Sequence, residues 1–339
     1  FGENVTPKIA LRWQPISGLS LRGTYGESFK APTVTDLAPG TEALLAFIAS
    51  DFGLALEGDP LILLRTQAAR PDLHEEESSS WTAGFDFQPE GTAFSLGITY
   101  FNIEFEGRID SPTAGGFDEF FVSPDVFGQF LIADPDAAFV EAQLAGATEF
   151  TDLTGGAFTP TAVDLWADVS VTNIAAEKQS GVDLILNHAF ETRRGRFNVS
   201  LNGTYIDTLE KKFAPAAPPR EVLNLLNEPI DLRLRGGLAW SVTDLSAALF
   251  VNYQDSYGNA EARIASWTTV DAQLRYAFAS QSADAVLSDL SVAFSVQNLL
   301  DKDPPFVLSQ GSPIAHSGYD SVNATPLGRF LALQIAKTW

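Results

Sequence analysis

The stretch DLSAALFVNY, residues 244–253, decides the fold class because its apolar residues recur at every second position. If the segment is extended, one face carries only Leu245, Ala247, Leu249, Val251 and Tyr253. Successive side chains of a β-strand point to opposite faces, whereas a helix would need a period of about 3.6 residues. The sequence therefore predicts a strand with one apolar face and one more polar face.

The same alternation recurs about eleven times along the chain, in segments of roughly ten residues. The predicted strands are 5–14, 18–28, 77–88, 93–106, 178–190, 196–208, 229–241, 244–253, 267–279, 289–298 and 327–339. A tilted strand needs about ten residues to cross a bilayer. The chain is thus predicted to be all-β, with strands long enough to span a membrane.

The connections between these strands alternate strictly between short and long. The short ones are PISG (15–18), QPEGT (88–92), ETRRG (191–195), SVTD (241–244) and a somewhat longer one at 280–288. The long ones are about 29–76, 107–177, 209–228, 254–266 and 299–326. Outer-membrane barrels have short periplasmic turns and long extracellular loops. This sorting favours a transmembrane antiparallel up-and-down β-barrel over a soluble sandwich.

Aromatic residues mark both ends of the predicted strands. Those that flank short turns or the C-terminus are Trp13, Phe87, Phe94, Phe190, Phe197, Trp240, Phe278 and Trp339. A second row, farther along the same faces, contains Tyr25, Trp81, Tyr100, Tyr205 and Tyr253. Any one of them would suit a sandwich core, but their shared position next to turns indicates the aromatic girdles of a membrane barrel.

The composition excludes several classes of function. A net charge of −22 opposes binding to nucleic acid, which selects clustered Lys and Arg. The absence of cysteine rules out disulfides and thiolate metal sites. No apolar run approaches the roughly 18 residues of a membrane helix. Without a nucleophile elbow or a phosphate-binding glycine loop, the chain is predicted to be no enzyme and to hold no cofactor.

Charged residues on the polar strand faces are assigned to the barrel lumen, where water or another domain can contact them. They are Arg12, Arg22, Asp86, Asp183, Asp231, Arg233, Arg235, Asp271 and Arg275. Two stretches have the composition of a metal site: the acidic loop 107–177, which could suit calcium, and the cluster His74–Glu77. The loop lacks the spacing of a calcium loop and the cluster lacks a second histidine. No residue is assigned to a metal.

Three motifs, in order along the chain, resemble those of the TonB-dependent outer-membrane receptor family. LRGTYGESFKAPTVTDL (21–37) is similar to a mid-barrel strand ending in a Gly-aromatic-Arg-Ala-Pro run, with Lys30 in place of Arg. QNLLDKDPPFV (297–307) is similar to the Asn-Leu-Phe-Asp-Lys run that closes the penultimate strand. NATPLGRFLALQIAKTW (323–339) resembles the last strand, which ends in an aromatic residue.

The resemblance implies a barrel of about 22 strands around a plug. The whole chain, 1–339, then corresponds to the C-terminal part of the barrel, without the plug domain or the N-terminal strands. The start, FGENVTPKIALRW, has no signal-peptide pattern, which fits a piece of a longer protein. With half of the wall missing, strands 5–14 and 327–339 are expected to be unpaired sheet edges.

The resemblance also implies site residues. Phe29, Lys30, Ala31 and Pro32 would form an extracellular strand end that contacts the plug or the loops, although Pro32 alone suffices to stop a strand. Arg22, Arg233 and Arg235 would contact the lumen or the plug. The barrel-insertion signal would be Leu331, Leu333, Ile335 and Trp339.

The function implied is energy-coupled uptake of a scarce ligand, such as a ferric siderophore, cobalamin or an oligosaccharide, across the outer membrane of a Gram-negative bacterium. The implied partners are outer-membrane lipid, the TonB energy-coupling protein, the barrel-assembly machinery, the plug and a small-molecule ligand. Alternatives are a passive porin and, in a third class, a soluble β-rich adhesin or glycan-binding module. Loop phenylalanines suit either ligand stacking or loop packing; they include Phe47, Phe52, Phe117, Phe120, Phe121, Phe127, Phe130 and Phe139.

Overall fold

A computed structural model describes residues 5–37, 40–48, 61–114, 120–121, 123–156, 159–214, 216–258, 263–278, 289–307 and 318–337. Its main feature is one large antiparallel sheet. In the order of the chain, the strands of the sheet are β1 (Lys8–Ile16), β2 (Leu19–Lys30), β5 (Glu76–Phe87), β6 (Phe94–Asp110), β10 (Thr172–Thr192), β11 (Gly195–Lys212), β13 (Leu232–Val242), β14 (Leu245–Gln254), β17 (Trp267–Ala277), β18 (Leu290–Gln297) and β19 (Phe330–Lys337). Each strand pairs with the next one in this series, so the connectivity is up-and-down.

All the strands predicted from the sequence are present in this sheet, and the predicted all-β fold class is confirmed. The structure extends three of them on the long-loop side. β6 has 17 residues, β10 has 21 and β11 has 18. A register shift between Ser180 and Gly181 separates the regular part of the β10–β11 ladder from this extension. The sheet therefore rises well above the part that a bilayer would cover.

The ladders sort the side chains onto two faces. Leu249 lies opposite Leu238 on one side and Ala272 on the other, so apolar side chains continue across three strands. This face is open: Leu249 is 42% exposed and Leu274 is 51% exposed. Exposed apolar bands of this extent mark a surface that contacts something other than water, such as lipid. The opposite face carries the charged residues assigned to the lumen.

The two larger buried clusters lie mainly in two long connections, and two smaller ones lie in β11 and the later connections. A second sheet of mixed direction has the order β7-β9-β4-β3-β8. Its strands are β3 (Thr41–Ile48), β4 (Leu61–Ala68), β7 (Leu131–Ala133), β8 (Glu149–Asp152) and β9 (Leu165–Asp168). Parallel ladders join β3 to β8 and β4 to β9, so segments from 29–76 and 107–177 form one unit. We call it the outer unit, and its five-stranded sheet the outer sheet. The sequence predicted only loops in both places.

Short elements complete the described part. The helices are α1 (Pro124–Phe127) and α2 (Ala137–Gly146), with 3-10 turns at Gly128–Phe130 and Pro160–Ala162. The Asp136 carboxylate caps α2 by accepting a 2.7 Å hydrogen bond from Phe139 N. Strand β12 (Arg220–Glu221) adds to β11, while β15 (Tyr257–Gly258) and β16 (Arg263–Ile264) form a hairpin.

No helix in the described segments is long and apolar enough to cross a membrane.

The main sheet is not closed within the described residues. β1 and β19 are its two ends, and no ladder joins them. The prediction that these two strands are unpaired edges is therefore confirmed. Each edge presents a row of free backbone N–H and C=O groups.

Candidate functional site

The end of β2 is tied to its neighbours at the long-loop rim. Lys30 Nζ lies 3.1 Å from Glu76 Oε2, and the other oxygen of Glu76 accepts a 3.0 Å hydrogen bond from Ile109 N. Glu76 therefore joins β2, β5 and the end of β6. Pro32, just beyond the strand, is buried, and Ala31 is half-buried. Of the four motif residues, Lys30 thus has a defined role in holding strands together.

Phe29 points to the outward face and is exposed. It lies next to an acidic rim region formed by Glu27, Glu77, Glu104 and Glu106. Glu104 is paired with Lys178, at 3.2 Å. In the described residues, no group of three or more His, Asp or Glu side chains is arranged to hold a metal ion.

Arg22 has its partners within the wall. Its Nε lies 3.1 Å from Asp86 Oδ2, and its guanidinium also donates to Thr99 Oγ1. Asp86 belongs to β5 and Thr99 to β6, so one arginine crosses two ladders. Arg12 donates to Ser20 Oγ at 2.7 Å on the same face. These contacts form a polar network on the luminal face, near the short-turn rim.

Arg235 forms a second network on the same face. It donates to Asn252 Oδ1 and lies 3.3 Å from Asp271 Oδ2. Asn252 donates to the same carboxylate oxygen at 2.9 Å, and Asn298 N donates to the other oxygen at 3.0 Å. The guanidinium carbon lies 4.3 Å from the centre of the Phe250 ring, a cation–π distance. Arg235 is thus fixed between a charge and a ring.

Arg233 leads to a buried polar hub that the sequence did not indicate. Its guanidinium donates to Asn323 Oδ1. Asn323 Nδ2 donates to Asp320 Oδ2 at 2.8 Å, and Tyr257 Oη donates to the same oxygen at 2.8 Å. Asp320 is only 1% exposed. The hub joins β13, the β15–β16 hairpin and the connection before β19.

Hydrogen bonding controls the ionisation of this hub. Burial acts to raise the pKa of Asp320, but hydrogen bonds from Asn323, Tyr257 and two backbone N–H groups outweigh it and lower the pKa below its usual value. Burial, followed by the hydrogen bond to Asp320, raises the pKa of the Tyr257 phenol. The hub therefore holds an ionised carboxylate and a neutral phenol. The run Asp320–Asn323 forms a local Asx turn, with Val322 N donating to Asp320 Oδ1 at 2.9 Å.

Some of the loop phenylalanines are buried and others are exposed. Phe120, Phe121, Phe127 and Phe130 are buried in one cluster with Leu63 of β4 and Leu165 of β9. Phe139 packs edge-on against Trp166, with ring centroids 5.1 Å apart. Phe47 remains exposed, while Phe52 and Phe117 lie outside the described residues. Packing therefore accounts for the buried four.

The last strand displays its apolar residues outward. Leu331, Leu333 and Ile335 are all exposed on the outer face of β19, and Leu333 faces Phe294 across the ladder. Trp339, the fourth residue of the predicted insertion signal, lies outside the described residues.

Comparison with known proteins agrees with this geometry. Residues 1–299 match a family described as TonB dependent receptor-like, beta-barrel. A search of curated proteins finds no match. A mutant ferric enterobactin receptor, PfeA, from Pseudomonas aeruginosa, in complex with enterobactin, has a TM-score of 0.62 at 16% identity, over 98% of this chain and 40% of the receptor. The siderophore receptor PirA from Acinetobacter baumannii has a TM-score of 0.57 at 15% identity, over 98% and 41%. At such identities the structural likeness shows a shared fold, and the chain spans about 40% of these receptors.

Proposed function

The chain belongs to the TonB-dependent receptor β-barrel family, and from that premise we propose that it forms part of the wall of an energy-coupled outer-membrane receptor for a small ligand. The observation that carries this proposal is the sorting of the two sheet faces. Apolar side chains lie open on one face, and ion-paired arginines lie on the other. Lipid against the apolar face and a hydrated barrel interior against the charged face would solvate each in a favourable environment.

Within the longer protein, this chain is the C-terminal part of the barrel. A plug domain and the remaining strands belong to the rest of the polypeptide. Two observations support this arrangement: the chain spans about 40% of the solved receptors, and β1 and β19 are unpaired edges. Unpaired backbone groups cost several kcal/mol each in hydrocarbon, about 2–7 by most scales, so both edges require partner strands.

The partners follow from this placement. The barrel lies in the outer membrane of a Gram-negative bacterium, and its plug couples to TonB in the periplasm. The exposed apolar residues of β19 suit recognition by the barrel-assembly machinery. Arg22 and Arg235 already have carboxylate partners in the wall, so they meet the plug through their remaining N–H groups. The protein carries out transport and no catalysis.

Charge favours some ligands over others. Residues 111–171, which supply much of the outer unit, contain no lysine or arginine. Their acidic residues are Asp118, Glu119, Asp125, Asp134, Asp136, Glu141, Glu149, Asp152, Asp164 and Asp168. Arg70 pairs with one of these residues, Asp168, at 2.7 Å, and the segment stays strongly acidic. An acidic surface repels anionic ligands and concentrates cationic ones. The ligand is therefore a neutral or cationic chelate of the ferric hydroxamate kind, in preference to a polyanionic catecholate.

An uptake assay tests the proposal. The full-length parent, expressed in a host without its own siderophore receptors, is expected to import radioactive iron from a ferric hydroxamate only when TonB is present. Uptake without TonB, together with steady conductance in planar bilayers, would indicate the passive porin instead. Iron import from a ferric catecholate alone would contradict the proposed preference for a neutral or cationic ligand. Import of cobalamin or an oligosaccharide alone would contradict the proposal that the ligand is a siderophore.

A further inference from the structure

The turn between β10 and β11 concentrates positive charge in a strongly acidic protein. Arg193 and Arg194 occupy the turn and Arg196 follows it, and all three are exposed. None of these guanidinium groups makes an ion pair with a described residue. Glu191 faces Arg196 across the ladder and is the one acidic residue in the run from 191 to 196. The chain as a whole has a net charge of −22.

The neighbouring short turns have the opposite charge. The β5–β6 turn carries Glu90, whose carboxylate accepts a hydrogen bond from Ser17 Oγ. The β13–β14 turn carries Asp244. The cationic character of the β10–β11 turn is therefore not shared by these neighbouring turns. Nonspecific basicity of this rim does not account for it.

The basic turn is held in one position. Trp240 Nε1 donates a 2.7 Å hydrogen bond to Arg194 O, which ties the turn to β13. Gly195 has a φ of +114°, and a Cβ there would lie 2.3 Å from Ser241 O. Glycine is required for so close an approach. The two turn arginines thus extend from a fixed backbone.

A row of rings lies directly above the turn on the outward face. Phe190 stacks on Phe197 with ring centroids 5.5 Å apart, and His188 lies 5.6 Å from Phe190. Aromatic girdles of membrane barrels lie at the level of the lipid headgroups. Arg193 is three positions beyond Phe190, which is about 8 Å closer to the periplasm at the usual strand rise and tilt. Its guanidinium can therefore reach the phosphates of the inner leaflet.

We propose that the β10–β11 turn binds an anionic phospholipid of the inner leaflet, with its phosphate on Arg193 and Arg194 and its acyl-glycerol part against the row of rings. The guanidinium fork matches phosphate oxygens, and the rings cover the acyl-glycerol part. The inference rests on the membrane placement proposed above, because it needs the short turns to lie at the periplasmic side. It adds a lipid-specific contact that uptake of a ligand does not require.

The test compares phospholipid retention in the full-length parent. The protein is reconstituted into vesicles of phosphatidylcholine mixed with phosphatidylglycerol and extracted in a mild detergent. Native mass spectrometry then measures the mass of the protein with its bound lipids. The wild type is expected to retain phosphatidylglycerol, and Arg193→Gln with Arg194→Gln to reduce retention roughly 25-fold, at about fivefold per arginine near a membrane surface. Lys302→Gln with Arg329→Gln removes equal charge from exposed sites on the opposite rim and is expected to change nothing.

Several outcomes would overturn the inference. Equal retention in all three proteins, equal loss in both double variants, or competition by free inorganic phosphate at the same concentration would each do so. If the arginine variant fails to fold, a salt titration of the wild type decides, because retention must fall as salt screens the contact. Heat-dependent electrophoretic mobility is recorded in parallel. A wild type that is folded in vesicles but shows no preference for phosphatidylglycerol contradicts this inference alone, whereas one that never enters vesicles contradicts the proposed function as well.

Discussion

Tyr257 Oη donates a 2.8 Å hydrogen bond to Asp320 Oδ2 across 63 positions of sequence. Both residues are buried, so neither group can exchange this partner for water. A buried polar group left without its partner costs about 1–3 kcal/mol, more than the net gain from an ordinary hydrogen bond. The pair therefore holds the connection before β19 against the β15–β16 hairpin.

Removing the Tyr257 hydroxyl tests this contact. Tyr257→Phe is expected to lower the free energy of unfolding by about 1–3 kcal/mol and to expose the connection around 318–329 to protease. Tyr276→Phe is the matched control, because that ring is exposed on the outward face. Equal protease sensitivity in both variants would show that the contact carries no stability.

The same hub predicts a pH window. The folded state lowers the pKa of Asp320, so its stabilisation is present above the unfolded value of about 3.9 and is lost as pH falls through the folded value. The folded state raises the pKa of Tyr257, so that contribution is present below about pH 10 and is lost as pH rises through the folded value. Thermal unfolding across pH checks both limits. The stability gap between wild type and Tyr257→Phe is expected to narrow in strong base.

Substitutions on the two faces of the sheet test the membrane assignment. Leu249→Arg is expected to destabilise the barrel by about 2–4 kcal/mol, because it places a charge against hydrocarbon. Gln273→Arg, on the luminal face beside the Ala272 that faces Leu249, is expected to be tolerated. Urea unfolding from vesicles measures both. Similar losses would reverse the inside and outside of the sheet.

The two partners of the Lys30–Glu76 ion pair are expected to contribute unequally to the free energy of unfolding. Lys30 is 64% exposed and Glu76 only 11%, counted on their side chains. Lys30→Ala should cost about 0–1 kcal/mol, the range of surface ion pairs. Glu76→Ala should cost about 1–3 kcal/mol, because it also leaves Ile109 N without its acceptor. Denaturant titration of the two variants decides, and a larger loss for Lys30→Ala would contradict the assignment.

The phenylalanine core of the outer unit gives a further prediction. Phe121 is 1% exposed, and Phe121→Ala is expected to destabilise the outer unit by about 3–5 kcal/mol. Phe47→Ala, on an exposed ring of the same unit, should cost much less. Limited proteolysis reports the outer unit separately from the barrel. Loss of ligand binding in Phe47→Ala without loss of stability would favour a stacking role for that ring.

Sequence alone predicted the barrel strands because each one places apolar residues on a single face for about ten positions. It failed for the outer sheet, whose short strands do not alternate in this way. In β4, Leu61, Leu63 and Leu64 are all buried, so two neighbouring positions are covered by different parts of the core. The parallel pairing of β3 with β8 is also nonlocal, and no local pattern encodes it.

The polar hub could not be predicted from the sequence either, because it also depends on nonlocal contacts. Asp320, Asn323 and Tyr257 lie in connections, where acidic and amide residues are common and usually solvated. Alternation alone predicts that Arg22 and Arg235 lie on the luminal face, but their carboxylate partners depend on register between strands. The alternation of side chains along a strand shows which face of the sheet a residue lies on. Its cross-strand neighbour is known only once the pairing register of the two strands is known.

The parallel ladders β3–β8 and β4–β9 have a kinetic consequence. The hydrogen bond from Thr148 N to Thr41 O closes a separation of 107 residues, so the outer unit gains its contacts only after a large loss of chain entropy. The short-turn hairpins of the wall need no such closure, and the widest of its other ladders joins Asp110 to Thr172, a smaller separation. The wall should therefore assemble first, and amides of both outer segments should become protected from hydrogen exchange together and late. Two loops that share one core also open as one cooperative unit, so a movement that clears the mouth must displace both of them at once.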